Sequence, residues 1–161
     1  MLTTIMGSIW RHLPGAIRRR LVRLGQRRFT VTVGALIFDD QQRILLLDHV
    51  FRPDSGWGIP GGFIDKNENP EAALRRELQE EIAVEVEEAQ LLFTRTLGRP
   101  KQIEIYFRAR ISGTPIPSSF EIKHAEWFAV DQLPPELSKD QQRLIQRAVK
   151  SMGDDAMLRA L

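Results

Sequence analysis

The sequence predicts a domain of the α+β class, preceded by a basic helical arm. The first observation is the order of the predicted elements, which runs strands, helix, strands, helix and is typical of a sandwich of helices and a mixed sheet. The second is the composition: 161 residues with 42% hydrophobic and 27% charged residues suit one domain with a core of its own. We therefore divide the chain into an arm, residues 1–28, and a domain, residues 29–161.

The arm carries a charge that the net value of +2 conceals. No acidic residue precedes Asp39, whereas the arm contains Arg11, Arg18, Arg19, Arg20, Arg23, Arg27 and Arg28. The rest of the chain is therefore acidic overall. An acidic domain suits a polyanionic phosphate substrate only if a divalent cation lies between the two.

A helix is predicted in the arm after the break at Pro14-Gly15. Its apolar residues follow a spacing of i, i+4, i+7 and share one face: Ile17, Leu21 and Leu24. Gly25 is the expected C-cap. The apolar stripe is short and surrounded by arginines, which favours docking on the domain or on a second copy of the chain. Contact with an anionic membrane or with nucleic acid is the less favoured interpretation.

The first strands are predicted from β-branched and aromatic runs. Residues 29–38 and 43–49 have this composition and are separated by a polar turn, so we expect them to form a hairpin. The next segment, residues 51–62, is rich in glycine and proline and is expected to be a loop.

A strong helix follows this loop. Asn69 is a suitable N-cap, Pro70 suits the first helical position, and the sequence EAALRRELQEEI consists of helix-forming residues. Further strands are expected near residues 90–97, 102–111 and 124–130. A last helix, residues 141–152, is expected to begin after a cap at Ser138 or Asp140.

Three carboxylates share one stripe of the central helix. Glu77, Glu80 and Glu81 lie within an arc of about 100°, and an adjoining apolar arc, formed by Leu74, Leu78 and Ile82, would face the core. Like charges at i, i+4 repel, and a divalent cation would offset that repulsion. Carboxylate and carbonyl oxygens are the ligands that Mg²⁺ and Mn²⁺ prefer. The alternative is a solvated acidic face paired with Lys66, Arg75 and Arg76.

These residues resemble the signature of the Nudix family, G-x5-E-x7-R-E-U-x-E-E-x-G-U, where U is a bulky aliphatic residue. The matching positions are Gly62, Glu68, Arg76, Glu77, Leu78, Glu80, Glu81 and Val84. Ala83 departs from the pattern, which has glycine there, so we expect the helix to extend or its end to shift slightly. The resemblance covers residues 29–150, and so long a motif is far more specific than a lone glycine motif.

The resemblance implies an α/β/α sandwich with a mixed central sheet and a catalytic loop-helix-loop. It also implies that Glu77, Glu80 and Glu81 bind Mg²⁺ or Mn²⁺, assisted by the carbonyl of Gly61. Arg76 would orient the cluster through Glu68. Glu121, on a later loop, is the candidate for an additional ligand or for the base, and the proton of the attacking water would go to Glu81 or to Glu121.

The activity implied is hydrolysis of a nucleoside diphosphate linked to another group X. Pro100 lies sixteen residues after Val84, a position at which many family members that cleave ADP-ribose have proline. ADP-ribose or another nucleotide sugar is therefore the leading substrate. Nucleoside triphosphates, dinucleoside polyphosphates and capped RNA are alternatives, and so is a non-catalytic nucleotide sensor. Phe51 and Arg52 are candidates for contacts to base or phosphate.

Other features exclude several classes of protein. The absence of cysteine excludes disulfides, thiolate metal sites and a cysteine nucleophile. No apolar run reaches the length of a transmembrane helix, and the basic residues of the N-terminus follow its apolar part, unlike those of a signal peptide. We expect a cytoplasmic location.

Overall fold

The structure is a computed structural model that describes residues 7, 10–52 and 56–159, with side chains up to residue 151. Its strands are β1 (Thr30–Ile37), β2 (Ile44–His49), β3 (Trp57–Gly58), β4 (Glu85–Leu97), β5 (Gln102–Ser112) and β6 (Ile122–Phe128). Its helices are α1 (Gly15–Gly25), α2 (Pro70–Ile82) and α3 (Lys139–Arg159).

The strands form two three-stranded sheets. In the first, ordered β1-β5-β4, β1 is parallel to β5, and β5 is antiparallel to β4. In the second, ordered β3-β2-β6, all pairs are antiparallel. The mixed sheet arrangement and the α+β class agree with the prediction.

The predicted hairpin of β1 and β2 is wrong, because the two strands belong to different sheets. Only one bridge, between Phe38 and Ile44, joins them across the turn. Instead, β1 pairs with β5, and the loop before α2 lies along β1, where Val33 N donates to Gly62 O at 2.9 Å. The second half of β1 and most of β2 are buried on both faces, and such strands are typically interior strands with a partner on each side.

Helix α2 begins as predicted. Asn69 Oδ1 accepts a hydrogen bond from Glu71 N at 3.0 Å, and Pro70 is the first helical residue. The helix ends at Ile82, and Ala83 has the left-handed conformation with φ 54° and ψ 38°. Alanine at the glycine position therefore does not extend the helix. It adopts the backbone conformation that glycine adopts at lower cost.

The two sheets lie between two apolar cores, as an α/β/α sandwich requires. Along β2, Leu45 and Leu47 face the core that includes the buried face of α2, while Ile44 and Leu46 face the core that includes α3. This alternation follows the two-residue period of a strand. The buried residues of α2 are Ala73, Leu74, Leu78 and Ile82, so the predicted apolar arc does face the core.

Helix α3 is capped at Ser138, whose Oγ accepts from Gln141 N at 3.2 Å, and it extends beyond the predicted residues to Arg159. Strand β4 begins five residues before the predicted start, and its first charged residues, Glu85, Glu87 and Glu88, are exposed around buried Val86, where the pairing with β5 is irregular. Among the described residues, no helix is both long and apolar enough to cross a membrane.

Helix α1 lies within the arm, and its apolar stripe is not covered by the described residues of the domain. Ile17, Leu21 and Leu24 are exposed, and no residue of α1 is buried. Gly25 is the last helical residue, and Gln26, in an extended conformation, is the C-cap. Contact of the arm with a second copy of the chain stays a prediction.

Candidate active site

A close contact between loop and helix forms the floor of the candidate site. Gly61 N donates to Glu81 Oε2 at 3.0 Å, so the loop before α2 folds back onto the acidic stripe. Gly61 has φ 134°, and a Cβ there would lie 2.2 Å from Val33 O. A Cβ on Gly62 would lie 2.4 Å from the carboxylate of Glu77. Gly61 therefore needs glycine, because its positive φ and the adjacent backbone leave no room for a side chain, whereas a side chain at Gly62 would displace the carboxylate of Glu77.

The acidic residues line one cavity of about 580 Å³. Most of the candidates from the sequence lie on its wall: Phe51, Arg52, Gly61, Arg76, Glu77, Glu80, Glu81 and Glu121. The structure thus brings together side chains from the end of β2, the glycine loop, helix α2 and the connection between β5 and β6.

The three carboxylates of α2 differ in exposure. The side chains of Glu77 and Glu81 are 16% and 12% exposed, whereas that of Glu80 is 59% exposed. Burial raises the pKa of Glu81 to about 7, further raised by nearby Glu77 and opposed by the hydrogen bond from Gly61. Burial also raises the pKa of Glu77, against the effect of Arg76. Negative charge at the two buried positions is therefore costly without a compensating cation.

Arg76 connects the acidic residues to one another. Its Nε and Nη2 donate to the two carboxylate oxygens of Glu68 at 2.9 Å each, and its Nη1 donates to Glu77 at 2.9 Å and to Glu80 at 3.3 Å. These bonds hold the pKa of Glu68 well below its ordinary value. Arg76 thus lies between Glu68 and the helix carboxylates, and its role in orienting them for catalysis stays a prediction.

The connection between β5 and β6 carries Glu121 to the opposite wall. Ser118 attaches this loop to the end of α2, since its N donates to Glu81 O at 3.0 Å and its Oγ donates to Glu80 O at 2.6 Å. Val50 N donates to Glu121 O at 2.8 Å, which joins the loop to the end of β2. Glu121 therefore faces the same cavity as the helix carboxylates, close enough to raise the pKa of Glu81.

His49 is a cavity residue that the sequence analysis did not select. Its Nδ1 lies 3.9 Å from Glu81 Oε1, and its Nε2 is buried without a hydrogen-bond partner among the described residues. Burial, with a smaller contribution from Arg52, lowers the pKa of His49 to about 3. The imidazole is therefore neutral at physiological pH, and its contact with Glu81 is not an ion pair. Its position at the end of β2 was visible in the sequence, but its proximity to α2 was not.

Arg52 is largely buried and only partly paired. Its Nη2 donates to Ile59 O at 3.4 Å, while its Nη1 is buried without a partner among the described residues. Burial lowers the pKa of the guanidinium, and nearby Glu81 opposes this change. A partly unpaired buried cation at a cavity wall can bind an anionic group of a ligand.

Arg52 also lines a second, smaller cavity of about 210 Å³ on the other side of the glycine loop. The polar side chains there bond to one another: Gln102 Nε2 donates to Thr32 Oγ1 at 2.9 Å, and Tyr106 Oη donates to Glu104 Oε2 at 3.2 Å. Pro100, proposed from its spacing as a substrate contact, is exposed in the turn between β4 and β5 and is not among the residues that line either cavity.

The donor set suits a hard divalent cation, although its side chains do not surround a common point. Among residues 7, 10–52 and 56–159, no three His, Cys, Asp or Glu side chains have the arrangement of a metal site. Instead, Arg76 and Gly61 N bond to the carboxylates of Glu77, Glu80 and Glu81. Burial raises the pKa of Glu77 and Glu81, so a positive charge beside them would be favourable, and carboxylate oxygens are the preferred ligands of Mg²⁺ and Mn²⁺.

Comparisons with known proteins agree with this geometry. The NUDIX domain family profile matches residues 28–148. The chain is 35% identical over 95 residues to the NAD-capped RNA hydrolase NudC of Pseudomonas aeruginosa, a match covering 55% of this chain and 34% of that protein. The chain thus spans about a third of the length of that relative.

Two solved structures share the fold. The MutT NUDIX hydrolase of Burkholderia pseudomallei is 31% identical, with a TM-score of 0.67 and coverage of 74% of this chain and 98% of that one. The NUDIX domain of Shewanella oneidensis NrtR, solved with ADP ribose, is 27% identical, with a TM-score of 0.69 and coverage of 87% and 99%. The family profile matches most of the chain, and the glycine loop and glutamate helix lie within the match, so this chain belongs to the Nudix family.

Proposed function

We propose that the protein is a divalent-metal-dependent pyrophosphohydrolase that cleaves the diphosphate bond of a nucleoside diphosphate linked to X. The observation that carries this proposal is the single cavity that Glu77, Glu80, Glu81 and Glu121 line together with two arginines. These four carboxylates and Asp65 around one cavity would repel a diphosphate, and cations between them would reverse that effect. The leading substrate is ADP-ribose or another nucleotide sugar, with a nucleoside monophosphate and a sugar phosphate as products.

The residues proposed to hold Mg²⁺ or Mn²⁺ are Glu77, Glu80 and Glu81, assisted by the carbonyl of Gly61. When bound, such a cation would neutralise the diphosphate and lower the pKa of an attacking water. Arg76 keeps the carboxylates in place, since it bonds to Glu68, Glu77 and Glu80 at once. Arg52, which lines the cavity, would bind an oxygen of the diphosphate through its guanidinium.

Two carboxylates are candidates to accept the proton of the attacking water. Glu81 is buried against Gly61, and its pKa of about 7 lies near physiological pH, as efficient general bases require. Glu121 faces it from the loop held by Ser118. Because Glu81 is also a proposed metal ligand, Glu121→Gln is the informative variant: a large fall in kcat with the metal-dependent rise in Tm retained would indicate that Glu121 is the base, and a kcat near that of the wild type would indicate Glu81.

The choice of ADP-ribose draws support from two relatives. The NUDIX domain of NrtR was solved with ADP ribose, and NudC hydrolyses NAD-capped RNA, in which the NAD group contains ADP-ribose. The group common to both ligands is adenosine diphosphate attached to ribose. Nucleoside triphosphates and dinucleoside polyphosphates remain the alternative substrates.

The test is to incubate the purified protein with Mg²⁺ or Mn²⁺ and a panel of diphosphates, and to identify the products by mass. The panel contains ADP-ribose, NAD, UDP-glucose, nucleoside triphosphates and dinucleoside polyphosphates. We expect AMP and ribose 5-phosphate from ADP-ribose, and no product in EDTA or with the Glu81→Gln variant. Nucleotide binding without any product would indicate a nucleotide sensor. Cleavage of nucleoside triphosphates faster than that of ADP-ribose would make triphosphates the leading substrate.

A further inference from the structure

Helix α1 exposes the apolar stripe formed by Ile17, Leu21 and Leu24. These side chains are 46%, 46% and 75% exposed, and no residue of α1 is buried. At about 100° per residue, the three lie within an arc of about 60°. The sequence favoured docking of this stripe on the domain, but the described residues of the domain leave it uncovered. An apolar row along one face of a helix indicates a surface that the helix contacts.

Arginines surround the stripe. Arg18 lies on one side of it and Arg20 on the other, while Arg19 and Arg23 lie on the opposite face of the helix. The arm contains no acidic residue, and every ion pair among the described residues lies within the domain. The positive charge of the arm is therefore not neutralised by the described carboxylates, and a partner of complementary charge is anionic.

A second copy of the chain does not suit this surface. Two arms that met through their stripes would bring Arg18 and Arg20 of both copies together, and like charges repel. The acidic domain of a second copy would attract the arginines, but exposed ion pairs contribute little to affinity. A stable interface also buries about 800 Å² on each partner, far more than three apolar side chains of one short helix provide.

An anionic lipid surface matches both features of the helix. Its acyl chains offer an apolar layer to the stripe, and its head groups pair with arginines whose stems lie along that layer. A nucleic acid would neutralise the arginines but offers no such layer. Helix α1 has 11 residues, whereas about 20 are needed to cross a bilayer, so it would lie in the plane of the surface.

The connection to β1 permits this arrangement. Gln26 is extended, with φ −87° and ψ 137°, and β1 begins at Thr30. Four extended residues span about 14 Å. That length exceeds the Debye length of about 8 Å at physiological ionic strength, so the acidic domain can stay beyond most of the repulsion from an anionic surface.

We propose that α1 binds the surface of an anionic membrane, with its apolar stripe among the lipid chains and its arginines at the head groups. The contact is peripheral and largely electrostatic, so it requires anionic lipid and weakens with salt. It holds the domain beside the membrane and does not depend on the proposed hydrolysis.

Cosedimentation of the full chain with lipid vesicles tests this proposal. The vesicles contain phosphatidylcholine alone or phosphatidylcholine with roughly 30% phosphatidylserine. We expect the partition coefficient to be at least about tenfold higher with phosphatidylserine, because each arginine near an anionic surface adds to the attraction. In about 0.5 M salt, most of this difference should disappear.

Two double variants separate the apolar contribution from the charge. Ile17→Gln/Leu21→Gln keeps every arginine, Arg18→Gln/Arg20→Gln keeps the stripe, and glutamine is a good helix former. Each variant should lower the partition coefficient for phosphatidylserine vesicles at least about tenfold. The Tm of the domain should stay unchanged in both, because no residue of α1 is buried.

The matched controls lie on the domain. Leu91→Gln/Ile116→Gln removes one leucine and one isoleucine that are also exposed, and Arg108→Gln/Arg110→Gln removes two exposed arginines of β5. Both controls should bind vesicles as the wild type does.

Three results would overturn the proposal. The first is equal partition onto both kinds of vesicle, or partition that Ile17→Gln/Leu21→Gln leaves unchanged. The second is binding of a single-stranded RNA oligonucleotide without any binding of vesicles. The third is a dimer, detected by light scattering, that Ile17→Gln/Leu21→Gln dissociates. Vesicle binding needs no turnover, so an inactive enzyme would refute the proposed function and leave this test unaffected.

Discussion

The backbone N–H of Gly61 donates to Oε2 of Glu81, which lies twenty residues further along the chain, at 3.0 Å. This bond closes the glycine loop onto α2 and leaves Oε1 of the same carboxylate facing His49 at 3.9 Å. It partly offsets the cost of burying Glu81, since a hydrogen bond to a carboxylate favours its charged form. The position of the glycine loop and that of the Glu81 carboxylate therefore depend on each other, so substitutions in the loop or in α2 should affect the same catalytic step.

Removing one charge from the helix cluster should abolish most activity. Glu80→Gln or Glu81→Gln preserves the size of the side chain, and we expect kcat for ADP-ribose to fall at least about 100-fold, the effect of losing one important electrostatic catalytic group. The fold should be retained in both variants. The control is Glu71→Gln on the first turn of the same helix, which pairs with Arg75 and does not line the cavity. Rates near that of the wild type in both variants would contradict the assignment.

Divalent cations should stabilise the folded protein through the same carboxylates. At 100 times its dissociation constant, Mg²⁺ or Mn²⁺ would add about 2.7 kcal/mol to the free energy of unfolding. For a chain of this size that corresponds to a rise in Tm of roughly 5–10 °C, reversed by EDTA. Glu77→Gln should lose at least about half of this shift, and Glu71→Gln should retain it. Equal rises in Tm in the wild type, Glu77→Gln and Glu71→Gln would indicate that the cation binds elsewhere.

Arg52 should contribute to substrate binding at the expense of stability. In Arg52→Met we expect KM for ADP-ribose to rise about tenfold or more, the value of a lost hydrogen bond to a charged group. Thermal stability without substrate should stay the same or increase, because a buried and partly unpaired cation is removed. Arg110→Met, which removes an exposed arginine paired with Glu87, is the control and should leave KM unchanged. A lower Tm with unchanged KM would assign Arg52 a purely structural role.

Ala83→Gly should stabilise the protein. Ala83 has φ 54°, a conformation in which a side chain costs about 1–2 kcal/mol, and glycine removes this cost. The greater conformational freedom of glycine in the unfolded chain offsets about 0.4–1 kcal/mol of this stabilisation. We expect a net increase of about 0.5–1 kcal/mol in the free energy of unfolding, measured by urea denaturation. Ala73→Gly, within the same helix and buried, should have the opposite effect. Destabilisation by Ala83→Gly would contradict this account of the helix end.

The ion pair between Arg95 and Asp140 should add stability only above acidic pH. Arg95 Nη1 donates to Asp140 at 2.9 Å, and this bond lowers the pKa of Asp140 below its ordinary value of 3.8. When folding lowers the pKa of a carboxyl group, the resulting stabilisation is complete at pH values above the ordinary pKa. It is lost as the pH falls through the lowered pKa of the folded protein. Asp140→Asn should therefore cost about 0.5 kcal/mol at pH 5–8, as expected for a solvent-screened pair.

Thermal unfolding from pH 3 to pH 8 measures this difference. The Tm of the variant should approach that of the wild type as the pH falls below 3.8 and then through the lower pKa of Asp140 in the folded protein. Asp131→Asn, at an exposed position in the turn after β6, is the control and should show no such trend. A difference in Tm between Asp140→Asn and the wild type that grows towards acidic pH would contradict a stabilising contribution that is present only above acidic pH.

The local features of the active-site helix followed from the sequence alone. Asn69 and Pro70 define its start, and the spacing of Glu77 and Glu81 places both carboxylates on one face, because helical geometry depends only on position along the chain. The family, the α+β class and the approximate bounds of the strands followed from local patterns in the same way. The pairing of β1 with β5 did not, because β1 is apolar on both faces and its composition is compatible with several neighbours.

The tertiary structure decided what surrounds the carboxylates. His49, Arg52 and Phe120 meet α2 only because β2, the glycine loop and the connection between β5 and β6 converge on one cavity. Burial of His49 lowers its pKa and burial of Glu81 raises its pKa, and this burial depends on neighbours that are distant in the chain. The sequence by itself determined which residues carry negative charge and on which helix face they lie. The fold determined how much water they retain, because desolvation is a property of the assembled cavity and not of any segment.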